Sequence, residues 1–85
     1  MARPVTVRLF GPAREAAGTS SLAWPVPAQG VRTRDLVAAL ARDHPRLAPT
    51  LRVSRFLVNG EVVGARARWV RPGDEFAVHP PYGGG

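Results

Sequence analysis

The segment RFLVNGEVV, residues 55–63, is the strongest local constraint on how this chain can fold. Its Asn59-Gly60 pair lies between two runs of β-favouring residues, and both residue types tolerate the positive φ that a type I′ turn requires. The segment therefore predicts a tight antiparallel hairpin. Because 85 residues suffice for one small core, we expect this hairpin to belong to the sheet on which that core is built.

Two N-terminal segments show the alternation of apolar and polar residues that is typical of strands. In PVTVRLF, residues 4–10, the inward positions are Val5, Val7 and Leu9. In TSSLAWPVP, residues 19–27, the alternation runs through Leu22, Trp24 and Val26. The two prolines of the second segment lack ladder donors and favour the edge of a sheet. We expect a broad hairpin, with a short helical turn over GPAREAAG between its strands.

The segment TRDLVAALARDHP, residues 33–45, is predicted as the main helix. Thr33 is expected to cap it, Asp35 complements the helix dipole in the first turn, and Pro45 ends it. The apolar stripe of this helix consists of Leu36, Val37, Leu40 and Ala41. The following RLAPTL, residues 46–51, is interpreted as a connector whose two leucines pack beneath the helix.

The last strand is predicted over EFAVH, residues 75–79, after a turn at RPGDE. Together these segments predict an α+β fold of ββαββ order, in which one main helix covers one face of a mixed sheet. The other face stays exposed. The residues whose parity turns them toward this exposed face are Phe10, Leu57, Ala77 and His79. They form a candidate docking patch, unless GPAREAAG covers Phe10.

Composition excludes several kinds of chemistry. The chain has no cysteine, so it can form no disulfide, cysteine-ligated metal site or thiol nucleophile. Its two histidines, His44 and His79, are far apart and lack the spacing of a zinc motif. No apolar run is long enough to cross a membrane, and the first residues do not form a signal peptide. We therefore expect a cytoplasmic protein with no membrane partner.

The net charge of +6 raises the question of nucleic-acid binding. All the basic residues are arginines, and RARWVR, residues 66–71, adds Trp69 as a ring on which a base could stack. Against this interpretation, the arginines are spread from Arg3 to Arg71 without a dense run. We expect no nucleic-acid partner.

The chain finishes on PPYGGG, residues 80–85. A glycine-rich terminal segment is usually a flexible linker, and on composition alone that interpretation stands. Prolines fix φ and hold an exit extended, whereas glycines give the narrowest possible chain. We therefore expect a folded domain over residues 1–79 and a flexible tail over residues 80–85.

Four features in this order resemble a known family: VTVRLFGPAREAAG, FLVNGEVV, RPGDEFAVHPP and the final Gly-Gly. Together they resemble the small subunit of molybdopterin synthase, which belongs to the MoaD-like and ThiS-like sulfur carriers. These carriers are ubiquitin-like proteins with the β-grasp fold. The resemblance covers nearly the whole chain, so it implies that fold for the predicted ββαββ elements.

The resemblance also implies the site residues. The carboxylate of Gly85 would be adenylated and converted to a thiocarboxylate, which donates sulfur to the pyranopterin precursor of the molybdenum cofactor. The tail that threads into a partner would consist of Pro80, Pro81, Tyr82, Gly83 and Gly84. The positions that match the family's partner contacts are Phe10, Val62 and His79.

The implied partners are a large subunit of molybdopterin synthase (MoaE-like), an E1-like adenylyltransferase (MoeB-like) that uses ATP, and a sulfur donor protein. The chain itself would bind no cofactor and no metal, and would be the non-catalytic sulfur-donor subunit of a sulfurtransferase complex. Three alternatives stay open. The chain could carry sulfur for thiamine, cysteine or tRNA thiolation, act as a ubiquitin-like protein modifier, or bind nucleic acid as a β-grasp module.

Overall fold

The computed structural model describes residues 3–64 and 68–81. Its strands are β1 (Val5–Leu9), β2 (Ser21–Trp24), β3 (Val31–Arg32), β4 (Arg55–Val58), β5 (Glu61–Val63), β6 (Trp69–Val70) and β7 (Glu75–His79). Its helices are α1 (Gly11–Ala17), α2 (Thr33–Asp43), a 3-10 turn (Pro45–Leu47) and α3 (Ala48–Val53).

Five strands form the main sheet in the order β2-β1-β7-β4-β5. The two central strands, β1 and β7, run parallel, and the other neighbours pair antiparallel. The predicted ββαββ order is confirmed in its main elements, and the strand predicted over residues 75–79 is β7, which lies in the middle of the sheet. The first strand of the described chain and its last strand therefore lie side by side.

One cluster of buried side chains forms the core, between this sheet and the helices. It contains the inward residues of β1, β4 and β7 together with Leu36 and Leu40 from the stripe of α2. The rings of Phe56 and Phe76 stack within it, with centroids 5.5 Å apart. Full burial of a valine, leucine or phenylalanine side chain contributes about 1.5–3 kcal/mol, so the inward residues of the strands and the apolar stripe of α2 together stabilise the fold.

Two predicted details are wrong or incomplete. Strand β2 ends at Trp24 and does not reach Val26, because Pro25 and Pro27 have no N–H with which to continue the ladder. Residues 46–51, which were predicted as an irregular connector, belong to the 3-10 turn and to α3. Their two leucines, Leu47 and Leu51, are buried as expected.

The sequence predicts that Thr33 caps α2, and this prediction is wrong. The cap position is Arg32, which makes no side-chain capping bond, and Thr33 is fully buried. The Thr33 hydroxyl donates to the carbonyl oxygen of Arg68 at 2.7 Å, and the Thr33 N–H donates to the same oxygen at 2.8 Å. Thr33 therefore joins the start of α2 to the small sheet of β3 and β6, which the sequence did not predict.

The predicted hairpin turn is confirmed. Asn59 and Gly60 have φ values of 49° and 85°. The Asn59 side chain also connects this turn to the start of β7. Its Oδ1 accepts from the N–H of Glu75 at 2.9 Å, and its Nδ2 donates to Oδ1 of Asp74 at 3.1 Å. The hairpin is thus held against the turn that precedes β7.

We expect Gly60→Val to lower the free energy of unfolding by roughly 1–3 kcal/mol, because a β-branched residue would be forced into positive φ. Apart from Gly60 and its two chain neighbours, no residue has an atom within 4 Å of the position where a Cβ would stand, so the loss would come from the backbone alone. Gly60→Asn is the control, because asparagine tolerates this region. Urea denaturation that gave equal stabilities for both variants would contradict the assignment of strain to this turn.

Candidate docking surface and tail exit

The face of the sheet opposite the core carries a row of side chains that crosses four strands. The strand register aligns Arg8 of β1 with Ala77 of β7, Ala77 with Leu57 of β4, and Leu57 with Val62 of β5. Val62 is exposed over 60% of its surface at the edge of the row. Ala77 points outward as predicted but is nearly buried, because it is small and lies on the central strand between larger neighbours.

Phe10 and His79 lie side by side at one end of this face. Their rings stack with centroids 4.3 Å apart and planes inclined by 16°. The guanidinium of Arg8 lies 5.6 Å from the Phe10 centroid, and it also forms an ion pair of 3.6 Å with Glu75. Phe10 therefore belongs to the outer face, where the sequence placed it.

The stack also decides between the two interpretations of Phe10. The residue is half-buried, and His79 covers one face of its ring. It precedes α1, and its carbonyl oxygen accepts from the N–H of Ala13 at 3.1 Å. The backbone of Phe10 thus begins the helix, while its ring stays outside the core.

Two of the three predicted partner contacts, Phe10 and His79, are therefore brought together. The third, Val62, lies on the same face but is separated from β7 by β4. We call the outer-face residues Phe10, Leu57, Val62, Ala77 and His79 the sheet patch. Its apolar surface is bordered by the ion pair of Arg8 and Glu75 on one side and by Arg55, which is opposite His79 in the register.

The chain leaves the sheet at this same end. β7 ends at His79, the next residue, Pro80, is buried, and Pro81 is exposed. The predicted tail residues Tyr82, Gly83 and Gly84 and the predicted reacting residue Gly85 lie outside the described residues. The exit of the tail is therefore fixed next to the Phe10–His79 stack.

Sequence analysis did not single out Val53, which lies beside this exit. Val53 ends α3 and is 51% exposed, and it borders a concave surface with Arg55, His79, Pro80 and Pro81. The signal in the sequence was an isolated valine in RVSR, at a point where no strand or helix pattern fixed its direction.

Within residues 3–64 and 68–81, no three histidine, aspartate or glutamate side chains come together in a way that could hold a metal ion. In the same part of the chain, no helix is both long enough and apolar enough to cross a membrane.

Comparison with known proteins gives one family. The model of the ThiS family matches residues 7–85. The molybdopterin synthase sulfur carrier subunit of Chlamydomonas reinhardtii is 32% identical over 82 residues, which cover 95% of this chain and 98% of that protein. The chain belongs to the ThiS family.

Solved structures agree with this assignment. A candidate molybdopterin converting factor, subunit 1, from Pyrococcus furiosus superposes with a TM-score of 0.81 at 25% identity, over 94% of this chain and 99% of that one. SAMP1 of Haloferax volcanii gives a TM-score of 0.76 at 28% identity, over 95% of this chain and 98% of that one. The fold is therefore the β-grasp fold that the resemblance implied.

Proposed function

We propose that this protein is a sulfur carrier and the small subunit of a molybdopterin synthase, with the carboxylate of Gly85 as its reacting group. The observation that carries the proposal is the match to the Chlamydomonas sulfur carrier subunit, which extends over 95% of this chain. The family match includes residues 80–85. These residues are the ones that the proposed chemistry needs.

The chemistry requires no nucleophilic side chain. The carboxylate of Gly85 attacks the α-phosphate of ATP in a separate activating enzyme, and pyrophosphate leaves. Sulfur delivered at the sulfide level by a donor protein then attacks the acyl carbon, displaces AMP from the acyl-adenylate and leaves a thiocarboxylate, with no change of oxidation state. After the sulfur has passed to the pyranopterin, water supplies the oxygen that restores the carboxylate. A chain without cysteine can carry sulfur in this way.

The glycines allow the tail to enter the partner's active site. Without Cβ atoms, Gly83, Gly84 and Gly85 form the narrowest chain that can enter a tunnel, and they can adopt backbone angles closed to other residues. Beyond Pro81, four residues span at most roughly 14 Å when fully extended. A partner must therefore dock close to the exit.

The sheet patch is the surface that supports such docking. Phe10 and His79 stack beside the exit, and exposed Val62 extends the apolar surface to the edge of the sheet. Aromatic and apolar groups bordered by charges are typical of the centre and rim of an interface. A large subunit that covers this patch would receive the tail at its own active site.

We expect the intact protein to gain mass, by the difference between one sulfur and one oxygen, when it is incubated with its activating enzyme, ATP and a sulfur source. We expect three changes each to abolish the gain in mass. Gly84→Val blocks the tail with a branched side chain, deletion of Gly85 shortens it, and a residue appended after Gly85 replaces the reacting carboxylate with an amide. Gly64→Val is the matched control, since Gly64 has open space around it. A gain of the same size for the extended protein, with its extra residue intact, would contradict the proposal.

Phe10→Arg should weaken binding to the large subunit by about 2–4 kcal/mol, because it places a charge in the apolar patch beside the exit of the tail. Thr6→Arg adds the same charge on the same face, toward the opposite end of β1, and should change binding little. Isothermal titration calorimetry measures both variants, and their melting temperatures test whether they fold. Equal affinities would remove the sheet patch from the interface.

A second candidate function is protein modification, which the similarity to SAMP1, a small archaeal modifier protein, favours. In that case Gly85 would form an isopeptide bond with a lysine of another protein, since this chain has no lysine of its own. An N-terminally tagged chain would then appear in cell lysate as conjugates of higher mass that depend on Gly85. Their absence, together with sulfur loading, would favour the carrier.

A further inference from the structure

The concave surface that Val53 borders continues around the root of the tail and adjoins the sheet patch. It consists of two open pockets with volumes of about 420 and 280 Å³, and both are lined by Val53 and Pro80. We call this surface the exit groove, and the residues that define it are Pro12, Pro49, Val53, Arg55, His79 and Pro80.

One part of the exit groove is apolar and rigid. Val53 is 51% exposed at the end of α3, and only Val62 among the large apolar residues of the described chain is more exposed. Pro12, Pro49 and Pro80 surround it, and each has a fixed φ. A surface of this kind loses little conformational entropy when it binds an apolar side chain.

The other part of the groove carries a positive charge. Arg55 begins β4 and is opposite His79 in the register. Among the described residues, no carboxylate forms an ion pair with Arg55, whereas Arg8 on the same face is paired with Glu75. The guanidinium of Arg55 can therefore offer its planar pair of donors to a carboxylate from outside the domain.

We propose that the exit groove binds a segment of the large subunit in which an apolar side chain stands beside an aspartate or glutamate. The apolar side chain packs on Val53 and the prolines, and the carboxylate pairs with Arg55. Two observations favour this occupant: the charge of Arg55, and the continuity of the groove with the sheet patch through His79, which belongs to both. The inference rests on the proposed function, because that function supplies the partner.

The groove would extend the partner's contacts from the sheet patch around the root of the tail to α1 and α3, which carry Pro12, Pro49 and Val53. Contacts on both sides of Pro80 would fix the direction in which the tail leaves the domain. They would also add a charge requirement, so that a partner without the carboxylate would be rejected.

The test compares charge reversal at two neighbouring arginines. Arg55→Glu should weaken binding to the purified large subunit at least about tenfold, because it places a carboxylate against a carboxylate. Arg52→Glu makes the same change of charge on α3, outside the groove, and should stay within about threefold of the wild type. Isothermal titration calorimetry at low and high salt should show that the wild-type affinity falls with salt more steeply than that of Arg55→Gln.

Two further variants test the apolar part. Val53→Ser should weaken binding, whereas Val53→Ile should retain the wild-type affinity, because it keeps the apolar surface. Sulfur loading by the activating enzyme and the melting temperature are measured for every variant. These two readouts separate loss of the groove contact from loss of function and from unfolding.

Weak binding of Arg55→Glu and Val53→Ser, with normal binding of Arg52→Glu and Val53→Ile, supports the proposal. Normal sulfur loading with equal affinities for all variants overturns the groove and leaves the carrier function standing. A wild-type chain that neither loads sulfur nor binds the large subunit overturns both.

Two other occupants would also be recognised. If the chain alone forms a dimer that Arg55→Glu dissolves, the groove binds a second copy and the proposal fails. If Arg55→Glu and removal of residues 82–85 lower the melting temperature of the isolated chain by the same amount, the groove holds the chain's own tail and the proposal fails.

Discussion

The parallel pairing of β1 with β7 is the contact on which the rest of the structure depends. Because parallel strands run in the same direction, the residues that follow or end them meet at one edge of the sheet. Phe10 follows β1 and His79 ends β7, and their rings stack at 4.3 Å. Pro80 then leads the chain out beside them. A slip of one residue in this pairing would turn Phe76 away from the core, so burial fixes the register and with it the position of the exit.

Local patterns predicted most of the elements, but not the contacts between distant segments. The alternation in β1 and β7, the stripe of α2 and the Asn59-Gly60 turn depend on neighbouring residues and were visible in the sequence. The central position of β7 depends on pairing between the two ends of the chain and entered only through the resemblance. Thr33 illustrates the same limit, since its hydroxyl suits a cap locally but bonds to the distant carbonyl of Arg68.

The residues of the candidate site show the same difference between what local patterns predict and what distant contacts decide. Parity predicted that Phe10 and His79 would face outward, while their stacking required the parallel pair. Val53 could not be recognised, because it ends a helix that the sequence pattern did not predict. Arg55 shares the outward parity of Leu57, but its place opposite His79 depends on the pairing of β4 with the distant β7. The alternative of base stacking on Trp69 also meets a contact that the sequence did not reveal: the guanidinium of Arg32 lies 5.0 Å from the centre of that ring. One face of the tryptophan is thus engaged within the domain.

A carrier whose chemistry resides in a backbone carboxylate needs its fold only to dock and to direct a tail, and the most direct test follows the sulfur itself. The protein is loaded with labelled sulfur, purified as the thiocarboxylate, and mixed with the large subunit and the pyranopterin precursor. We expect the label to leave the protein and to appear in the pyranopterin product, with the carrier recovered as its carboxylate. Label that stays on the protein, or that moves to a tRNA or a thiazole precursor under matched conditions and not to the pyranopterin, would contradict the proposed function.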